Sequence, residues 1–138
     1  MNSAEQLRLV DRFYNDMWNR FDKSVFGEIL DPMIHFRGSP GQTKIGFDEF
    51  GEYVDYIQTF ASDFHNEVLS TITEENLTFA RLSYSGIHQG EVFGLAPTGR
   101  RFEYSGAAVF TFTDDLISDV WVLGDIYGLT QQLSIDTT

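Results

Sequence analysis

Cysteine is absent from the 138-residue chain, which excludes disulfides, thiolate metal sites and a cysteine nucleophile without fixing the cellular compartment. The chain also lacks any apolar stretch near the roughly 20 residues that a membrane helix needs. Its first residues contain no basic region followed by an apolar run. We therefore expect no signal peptide and take the cytoplasm as the default location.

Basic residues are scarce, since Lys and Arg total 9 against 21 Asp and Glu, giving a formal charge of -12. A nucleic-acid-binding protein would have to approach phosphate through this negative field, and no basic stripe is present to offset it. Anionic membranes are disfavoured for the same reason. We therefore expect neither nucleic acid nor membrane as a partner, and interpret the charge as favouring solubility.

The N-terminal half has helical periodicity. Hydrophobic residues make up 42% and aromatic residues 15% of the chain, enough for a single domain over residues 1–138. A helix is predicted to begin at a capping box started by Ser3. A short helix begins at Asp22 and ends before Pro32, and a third follows over residues 47–60. The first helix carries an unusually aromatic stripe of Phe13, Tyr14, Met17, Trp18 and Phe21.

From about His65 the pattern changes to alternation, which predicts strands. Three helices followed by an antiparallel meander are typical of an α+β domain in which helices cover one face of a sheet. Gly86 and Gly106 lie inside predicted strands and indicate bends or bulges, so the sheet should curve around an apolar pocket. The predicted strands cover residues 33–37, 68–72, 77–89, 101–112 and 116–123, and a short helix covers residues 127–133.

Two segments carry a resemblance to a known family. Residues 121–133 contain a strand tryptophan, then Asp125 four positions later, then a leucine and a Gln-Leu pair. Residues 88–100 contain His88 followed by a Gly-rich stretch that ends in Thr-Gly-Arg, and His35 precedes a Gly-Ser-Pro-Gly loop. These features resemble SnoaL-like polyketide cyclases, which implies a cone-shaped nuclear transport factor 2-like, or cystatin-like, fold: helices packed on a strongly curved antiparallel sheet.

The resemblance implies an intramolecular aldol cyclisation of a polyketide-like small molecule, with Asp125 as the acid/base and neither metal nor cofactor. It also implies a homodimer formed by sheets packed back to back. The predicted strand of residues 102–112 carries apolar side chains on both faces, which agrees with a sheet covered on both sides. His35 is followed by Phe36-Arg37, where many relatives have an acidic residue and proline. This departure predicts a pocket mouth with a different specificity.

An aldol cyclisation requires an acid/base group and hydrogen-bond donors for the reacting oxygen. A carboxylate can remove a proton beside a carbonyl and later protonate the alkoxide if burial raises its pKa. Asp125 shares strand parity with Trp121, so we expect it in an apolar pocket. His88 and His35 are candidate polar partners for a carbonyl or enolate oxygen. The expected substrate-binding walls are Tyr14, Trp18, Tyr104 and Trp121.

Simpler interpretations exist for the same residues. Asp125 directly precedes the last predicted helix, where an aspartate usually serves as an N-cap. His88 and His35 are also interpretable as structural or surface groups, and the aromatic stripe as core. The three histidines lack metal-ligand spacing, so we expect no metal.

Two alternative functions remain open on sequence alone. A ketosteroid-isomerase-like or epoxide-hydrolase-like enzyme would use the same fold, with Tyr14 and Asp125 directed at one oxyanion. A non-catalytic small-molecule-binding or dimerisation module would have a filled pocket or a solvent-facing Asp125. Fold alone does not decide between these functions.

Overall fold

Four α-helices and six β-strands are present in residues 1–134, the part of the chain that a computed structural model describes. The helices are α1 (Ser3–Asp11), α2 (Phe26–Ile29), α3 (Gly46–Phe60) and α4 (Ile126–Ser134), with a π-helical segment (Arg12–Trp18) after α1 and a 3-10 turn (Lys23–Val25) before α2. The strands are β1 (Leu30–Arg37), β2 (Thr43–Ile45), β3 (Ala61–Glu74), β4 (Leu77–His88), β5 (Arg101–Thr113) and β6 (Leu116–Gly124).

The six strands form one sheet in the order β2-β1-β6-β5-β4-β3. The predicted meander is present, because β3 to β6 pair antiparallel with their neighbours in the chain. The sheet is nevertheless mixed, since β1 pairs parallel with β6. Sequence patterning missed this pairing because the two strands lie at opposite ends of the chain, and alternation within a strand carries no information about a distant partner. The α+β prediction is confirmed.

The first helix begins as predicted but is capped by a different residue. Asn2, not Ser3, is the N-cap, and its side-chain oxygen accepts a hydrogen bond of 2.9 Å from the backbone N–H of Glu5. After Asp11 the helix widens into the π-helical segment, whose buried residues include Tyr14 and Trp18. Short π-helical segments are uncommon and frequently occur at functional sites.

Three strands differ markedly from the sequence prediction. The strand β1 already begins at Leu30, so Pro32 lies inside it. The register of β1 with β6 is interrupted between Leu30 and His35. Pro32 lies in this interruption, where its backbone does not need to donate a hydrogen bond to the neighbouring strand. The strand β3 begins at Ala61, directly after α3, and the short strand β2 was not predicted. Among residues 1–134, no helix is long and apolar enough to cross a membrane.

The core lies between the inner face of the sheet and the helical segments. Phe13 stacks on Phe50 of α3, with ring centroids 6.1 Å apart, and meets the edge of Phe110 of β5 at 5.3 Å. All three rings are essentially inaccessible to solvent. Aromatic rings from a helix, a second helix and the sheet thus form one continuous layer.

The strand glycines have a steric role, and one of them also lies at a predicted irregularity. The register between β3 and β4 shifts at Gly86, whereas the register between β4 and β5 runs without interruption past Gly106. A Cβ at Gly106 would overlap the ring of Tyr84, and one at Gly86 would press against the ring of Phe102. These glycines leave room for aromatic side chains on the inner face.

A buried polar bridge joins α1 to the β3–β4 hairpin. Gln6 is almost completely buried, and its Nε2 donates a hydrogen bond of 2.6 Å to the carbonyl oxygen of Glu75. Its Oε1 accepts a hydrogen bond of 2.8 Å from the hydroxyl of Thr78, which is also buried. Buried polar groups that lose their partner destabilise the fold, so this bridge should contribute measurably to stability.

We therefore expect Gln6→Met to lower the free energy of unfolding by about 1–3 kcal/mol, because the Glu75 carbonyl and the Thr78 hydroxyl each lose a buried partner. Urea denaturation measures this change. The matched control is Gln131→Met on the exposed surface of α4, which should stay within about 0.5 kcal/mol of the parent protein. A loss for Gln6→Met no larger than that of the control would contradict the account.

Candidate active site

An aromatic hollow lies between the helices and the inner face of the sheet. Its volume is about 40 Å³, enough for water but far below the roughly 300–1,000 Å³ of a typical ligand pocket. A substrate would therefore have to displace some of the side chains that now fill it. The lining residues are Phe13, Tyr14, Trp18, Phe36, Gly38, Ser39, Tyr53, Ile57, Phe64, Asn66, Tyr84, Tyr104 and Val122.

The polar groups of this lining are uncharged. They are the hydroxyls of four tyrosines and one serine, the indole N–H of Trp18 and the Asn66 amide, and no carboxylate, imidazole or cationic side chain of residues 1–134 lines the hollow. Burial raises the pKa of Tyr14, Tyr53, Tyr84 and Tyr104 above its ordinary value. All four phenols therefore remain protonated near neutral pH and can donate hydrogen bonds.

The Tyr14 hydroxyl is the fully buried polar group of the lining that has no hydrogen-bond partner among the described residues. The Tyr14 side chain is about 2% exposed. The Tyr84 hydroxyl lies near enough for a hydrogen-bond interaction to lower the pKa of Tyr14 and raise that of Tyr84, but the distance and angles of the pair fall outside those of a regular hydrogen bond. Buried hydroxyls usually have a hydrogen-bond partner, so the unpaired hydroxyl of Tyr14 requires an explanation.

Asn66, by contrast, makes three hydrogen bonds with Asn19. Its backbone N–H and its side-chain Nδ2 both donate to Oδ1 of Asn19, at 2.7 and 3.0 Å. Nδ2 of Asn19 in turn donates to the Asn66 carbonyl oxygen at 3.1 Å. This reciprocal pair ties the end of the π-helical segment to β3 and holds one wall of the hollow in place.

The structure places Tyr14, Trp18 and Tyr104, three of the four predicted wall residues, in the lining. Contact between these residues and a substrate stays a prediction. Sequence analysis did not select Tyr53 or Tyr84 as site residues. Tyr84 had a detectable signal, because it alternates in phase with Leu82 and Gly86 on the inner face of β4.

The prediction that Asp125 is buried in an apolar pocket is wrong. Its side chain is exposed, and its Oδ1 accepts a hydrogen bond of 2.9 Å from the Gly128 N–H. Its carbonyl oxygen accepts another, of 3.1 Å, from the Leu129 N–H. Asp125 is thus the N-cap of α4, the simpler interpretation that the sequence allowed.

Strand parity explains the error. Asp125 shares its parity with Trp121 and Leu123, but these side chains are 44% and 53% exposed and lie on the outer face of the sheet. Val122, of opposite parity, lines the hollow. Alternation indicates which residues share a face without indicating which face is covered. Asp125 is still near the rim, because the preceding Gly124 lies against Ser39 and Tyr104.

Trp121 is therefore not a wall of the hollow. The guanidinium carbon of Arg37 lies 5.0 Å from its ring centroid, a cation–π arrangement on the outer face. A guanidinium nitrogen of Arg37 also donates a hydrogen bond to the Val122 carbonyl. Phe36, the other residue at which the sequence departs from the family pattern, points inward and lines the hollow.

The two predicted histidine partners also lie outside the lining. His35 is exposed on the outer face, in register with Asp119 of β6. Partial burial raises the pKa of Asp119, and His35 opposes that shift. His88 is fully buried, and its Nδ1 accepts a hydrogen bond of 3.2 Å from the Thr98 N–H, which places the proton of a neutral ring on Nε2.

His88 therefore fixes the connection between β4 and β5 rather than presenting a group to the hollow. Its Nε2 has no hydrogen-bond partner in the described part of the chain. Within residues 1–134, no three His, Cys, Asp or Glu side chains converge as the ligands of a metal ion would.

Comparisons with known proteins agree with this architecture. TsrD from Streptomyces laurentii is 22% identical, with a TM-score of 0.85 over 97% of this chain and 98% of its own. A candidate SnoaL-like polyketide cyclase from Jannaschia sp. CCS1 is 16% identical, with a TM-score of 0.87 over 96% of this chain and 94% of its own. IdmH, a candidate polyketide cyclase from Streptomyces antibioticus, is 21% identical, with a TM-score of 0.80 over 93% and 97% of the two chains.

These identities are low, so the structural matches establish the fold and leave the activity undetermined. A search of curated proteins found no match. The family model for SnoaL-like polyketide cyclases matches residues 8–133, which is nearly the whole chain and includes both segments singled out from the sequence. The protein therefore belongs to the SnoaL-like polyketide cyclase family.

Proposed function

We propose that the protein binds a largely apolar, carbonyl-bearing, polyketide-like small molecule in the aromatic hollow. We further propose that it acts on this molecule as a cofactor-free cyclase or a related carbon-acid lyase or isomerase. The observation that carries the proposal is the lining of the hollow, which combines aromatic walls with uncharged hydrogen-bond donors. Such a surface suits a flat molecule that carries carbonyl oxygens and no net charge. Family membership supports the reaction class.

Binding requires a route into the hollow, and Tyr53 is the side chain best placed to open it. Tyr53 lines both the hollow and an adjoining open groove of about 420 Å³ formed with Lys44, Glu52 and Tyr56. A Cβ at Gly38 would overlap the Tyr53 hydroxyl, so the bare backbone of Gly38 allows the ring to close against the loop. Rotation of this one side chain would join groove and hollow into a space of substrate size.

We propose Asp125 as the acid/base, and its side chain must first rotate to reach the hollow. Its carboxylate caps α4 beside the rim of the hollow, so it must release the Gly128 N–H and turn past Gly124 to reach a bound ligand. The net stabilisation from one such hydrogen bond is about 0.5–1.5 kcal/mol, which permits this rotation. The carboxylate would then take a proton from the carbon beside a carbonyl and return it to the alkoxide formed by ring closure.

His35 and His88 are left out of the proposed mechanism. His35 lies on the outer face of the sheet, and His88 is not among the residues that line the hollow. The isomerase alternative, in which Tyr14 and Asp125 share one oxyanion, is also disfavoured. Asp125 is exposed and bonded to Gly128, whereas the hydroxyl beside Tyr14 belongs to Tyr84.

A second candidate function is small-molecule binding without turnover. It is favoured by one observation: among residues 1–134, the only ionisable side chains in the lining of the hollow are tyrosines, and burial raises the pKa of each. In that case Asp125 would serve only as a helix cap. The two functions predict different behaviour for substitutions at Asp125.

We also propose a homodimer formed through the outer face of the sheet. A row of side chains in register crosses this face from Ile72 through Phe79 and Val109 to Trp121, with Arg37 at its end. Ile72, Phe79 and Trp121 are 69%, 37% and 44% exposed. A continuous exposed apolar row is typical of an interaction surface.

The substitutions Asp125→Asn and Asp125→Ala separate catalysis from capping. Asparagine caps helices about as well as aspartate, whereas alanine should lower the free energy of unfolding by about 0.5–2 kcal/mol. As an acid/base, Asp125 should support an intramolecular aldol closure, measured as cyclised product from an aryl-substituted 1,5-diketone. Asp125→Asn should slow this closure by about 100-fold or more without loss of stability.

Full turnover by Asp125→Asn would rule out the acid/base role while leaving the binding proposal intact. A parent protein that binds the diketone without converting it would support the second candidate function. Urea denaturation of each variant shows whether any loss of product reflects unfolding.

For the dimer, we expect Trp121→Glu or Leu123→Glu to halve the mass measured by light scattering, because a charge in a buried apolar interface is strongly unfavourable. The control is Tyr127→Glu on α4, a position that is 75% exposed and outside the sheet. A parent protein with the 15.8 kDa mass of a single chain at micromolar concentration would contradict the proposed dimer.

A further inference from the structure

We infer that the hydroxyls of Tyr14 and Tyr84 together form a subsite for one uncharged ligand oxygen, that of a ketone or its enol. This inference rests on the proposed function of the hollow and specifies which part of the lining selects the ligand. The starting point is the Tyr14 hydroxyl, which is buried in the lining without a hydrogen-bond partner among the described residues. A buried donor left unpaired is unfavourable, and a bound acceptor would remove that penalty.

The two rings are held in place by packing, so their hydroxyls are positioned before a ligand arrives. Tyr14 meets the edges of Phe13 and Phe110 at centroid distances of 5.1 and 5.9 Å. Tyr84 stacks on Phe64 at 6.4 Å and lies over Gly106, where any side chain would overlap its ring. Prepositioned donors do not lose conformational freedom on binding, which increases their contribution to affinity.

The surroundings restrict the oxygen to an uncharged one. The lining contains no Lys, Arg or His side chain, so a carboxylate or phosphate would be buried without a counter-charge. Burial also raises the pKa of both tyrosines, so both remain donors and neither repels an acceptor as a phenolate. A hydrocarbon would leave the Tyr14 hydroxyl unpaired. Of an anion, a hydrocarbon and a ketone, the ketone therefore fits this lining best.

The same arrangement would assist the proposed reaction. Removal of a proton beside the ketone moves negative charge onto the ketone oxygen, which the two phenols contact. Hydrogen bonds to a charged acceptor are stronger than those to a neutral one. The subsite would therefore stabilise the enolate more than the ketone, which is the condition for lowering a barrier.

Three flat probes of similar size test the subsite: 2-acetonaphthone, 2-ethylnaphthalene and 2-naphthoate. Calorimetric titration measures the affinity of each probe for the parent protein and for the variants Tyr14→Phe and Tyr84→Phe. The control is Tyr127→Phe, which removes an exposed hydroxyl on α4. Thermal unfolding without a probe is recorded for every variant.

We expect the parent protein to bind the ketone more tightly than the hydrocarbon and to reject the carboxylate. Each hydroxyl should account for about a three- to tenfold gain in ketone affinity. Tyr14→Phe and Tyr84→Phe should therefore lose that gain while binding 2-ethylnaphthalene as the parent does. Tyr14→Phe should unfold at an unchanged or higher temperature, because it removes an unpaired buried hydroxyl, whereas loss of a structural tyrosine hydroxyl would lower that temperature.

Two results would overturn the subsite while leaving the binding hollow in place. One is equal affinity of the parent protein for the ketone and the hydrocarbon. The other is a ketone preference that stays unchanged in Tyr14→Phe and in Tyr84→Phe. If none of the three probes binds, both the subsite and the proposed function of the hollow fail.

Discussion

The packing of an aromatic helical layer against the inner face of the sheet is the constraint on which the other features depend. Rings from the π-helical segment, α3 and β5 meet edge to face and in stacks, and they leave only a small hollow among them. Burial in this layer raises the pKa of its tyrosines, and one of their hydroxyls has no hydrogen-bond partner among residues 1–134. The same interactions therefore stabilise the fold and determine the polarity of the site.

This packing also separates two faces of the sheet with different properties. The inner face carries buried aromatic side chains and uncharged donors, whereas the outer face carries Trp121, Arg37 and the pair formed by His35 and Asp119. Two residues that the family resemblance associates with the reaction lie outside the hollow, namely His35 on the outer face and Asp125 near the rim. The proposed acid/base residue must consequently approach the hollow from its edge, while the tyrosines of the lining supply the hydrogen bonds inside it.

Much of the fold could be predicted from the sequence, because local periodicity reports helices and strands directly. The helix of residues 46–60 and the hairpins joining β3 to β6 were expected in this way. The parallel pairing of β1 with β6 was not, because a pairing between distant segments leaves no periodic signal. The widening of the first helix into a π-helical segment was also missed, since its apolar spacing fits an ordinary helix.

The site was predicted less completely, and Asp125 shows why. The shared face with Trp121 required the strand to reach Asp125, but β6 ends at Gly124, and Trp121 itself lies on the exposed outer face. The capping bond to Gly128 keeps the Asp125 carboxylate away from the hollow. Tyr14 and Trp18, which lie on the buried stripe predicted from the sequence, line the hollow. Their role in substrate binding stays a prediction. Tyr53 was missed, although it is three residues after Phe50 on the buried side of its helix.

The two tryptophans of the chain allow the central claim, that ligands enter the aromatic hollow, to be measured directly. Trp18 lines the hollow and Trp121 lies on the outer face, so their indole N–H signals in a ¹H–¹⁵N NMR spectrum report on two separate surfaces. Titration with 2-acetonaphthone should shift the Trp18 signal and leave that of Trp121 in place. A shift confined to Trp121, or no shift of either signal at saturating ketone, would contradict the account.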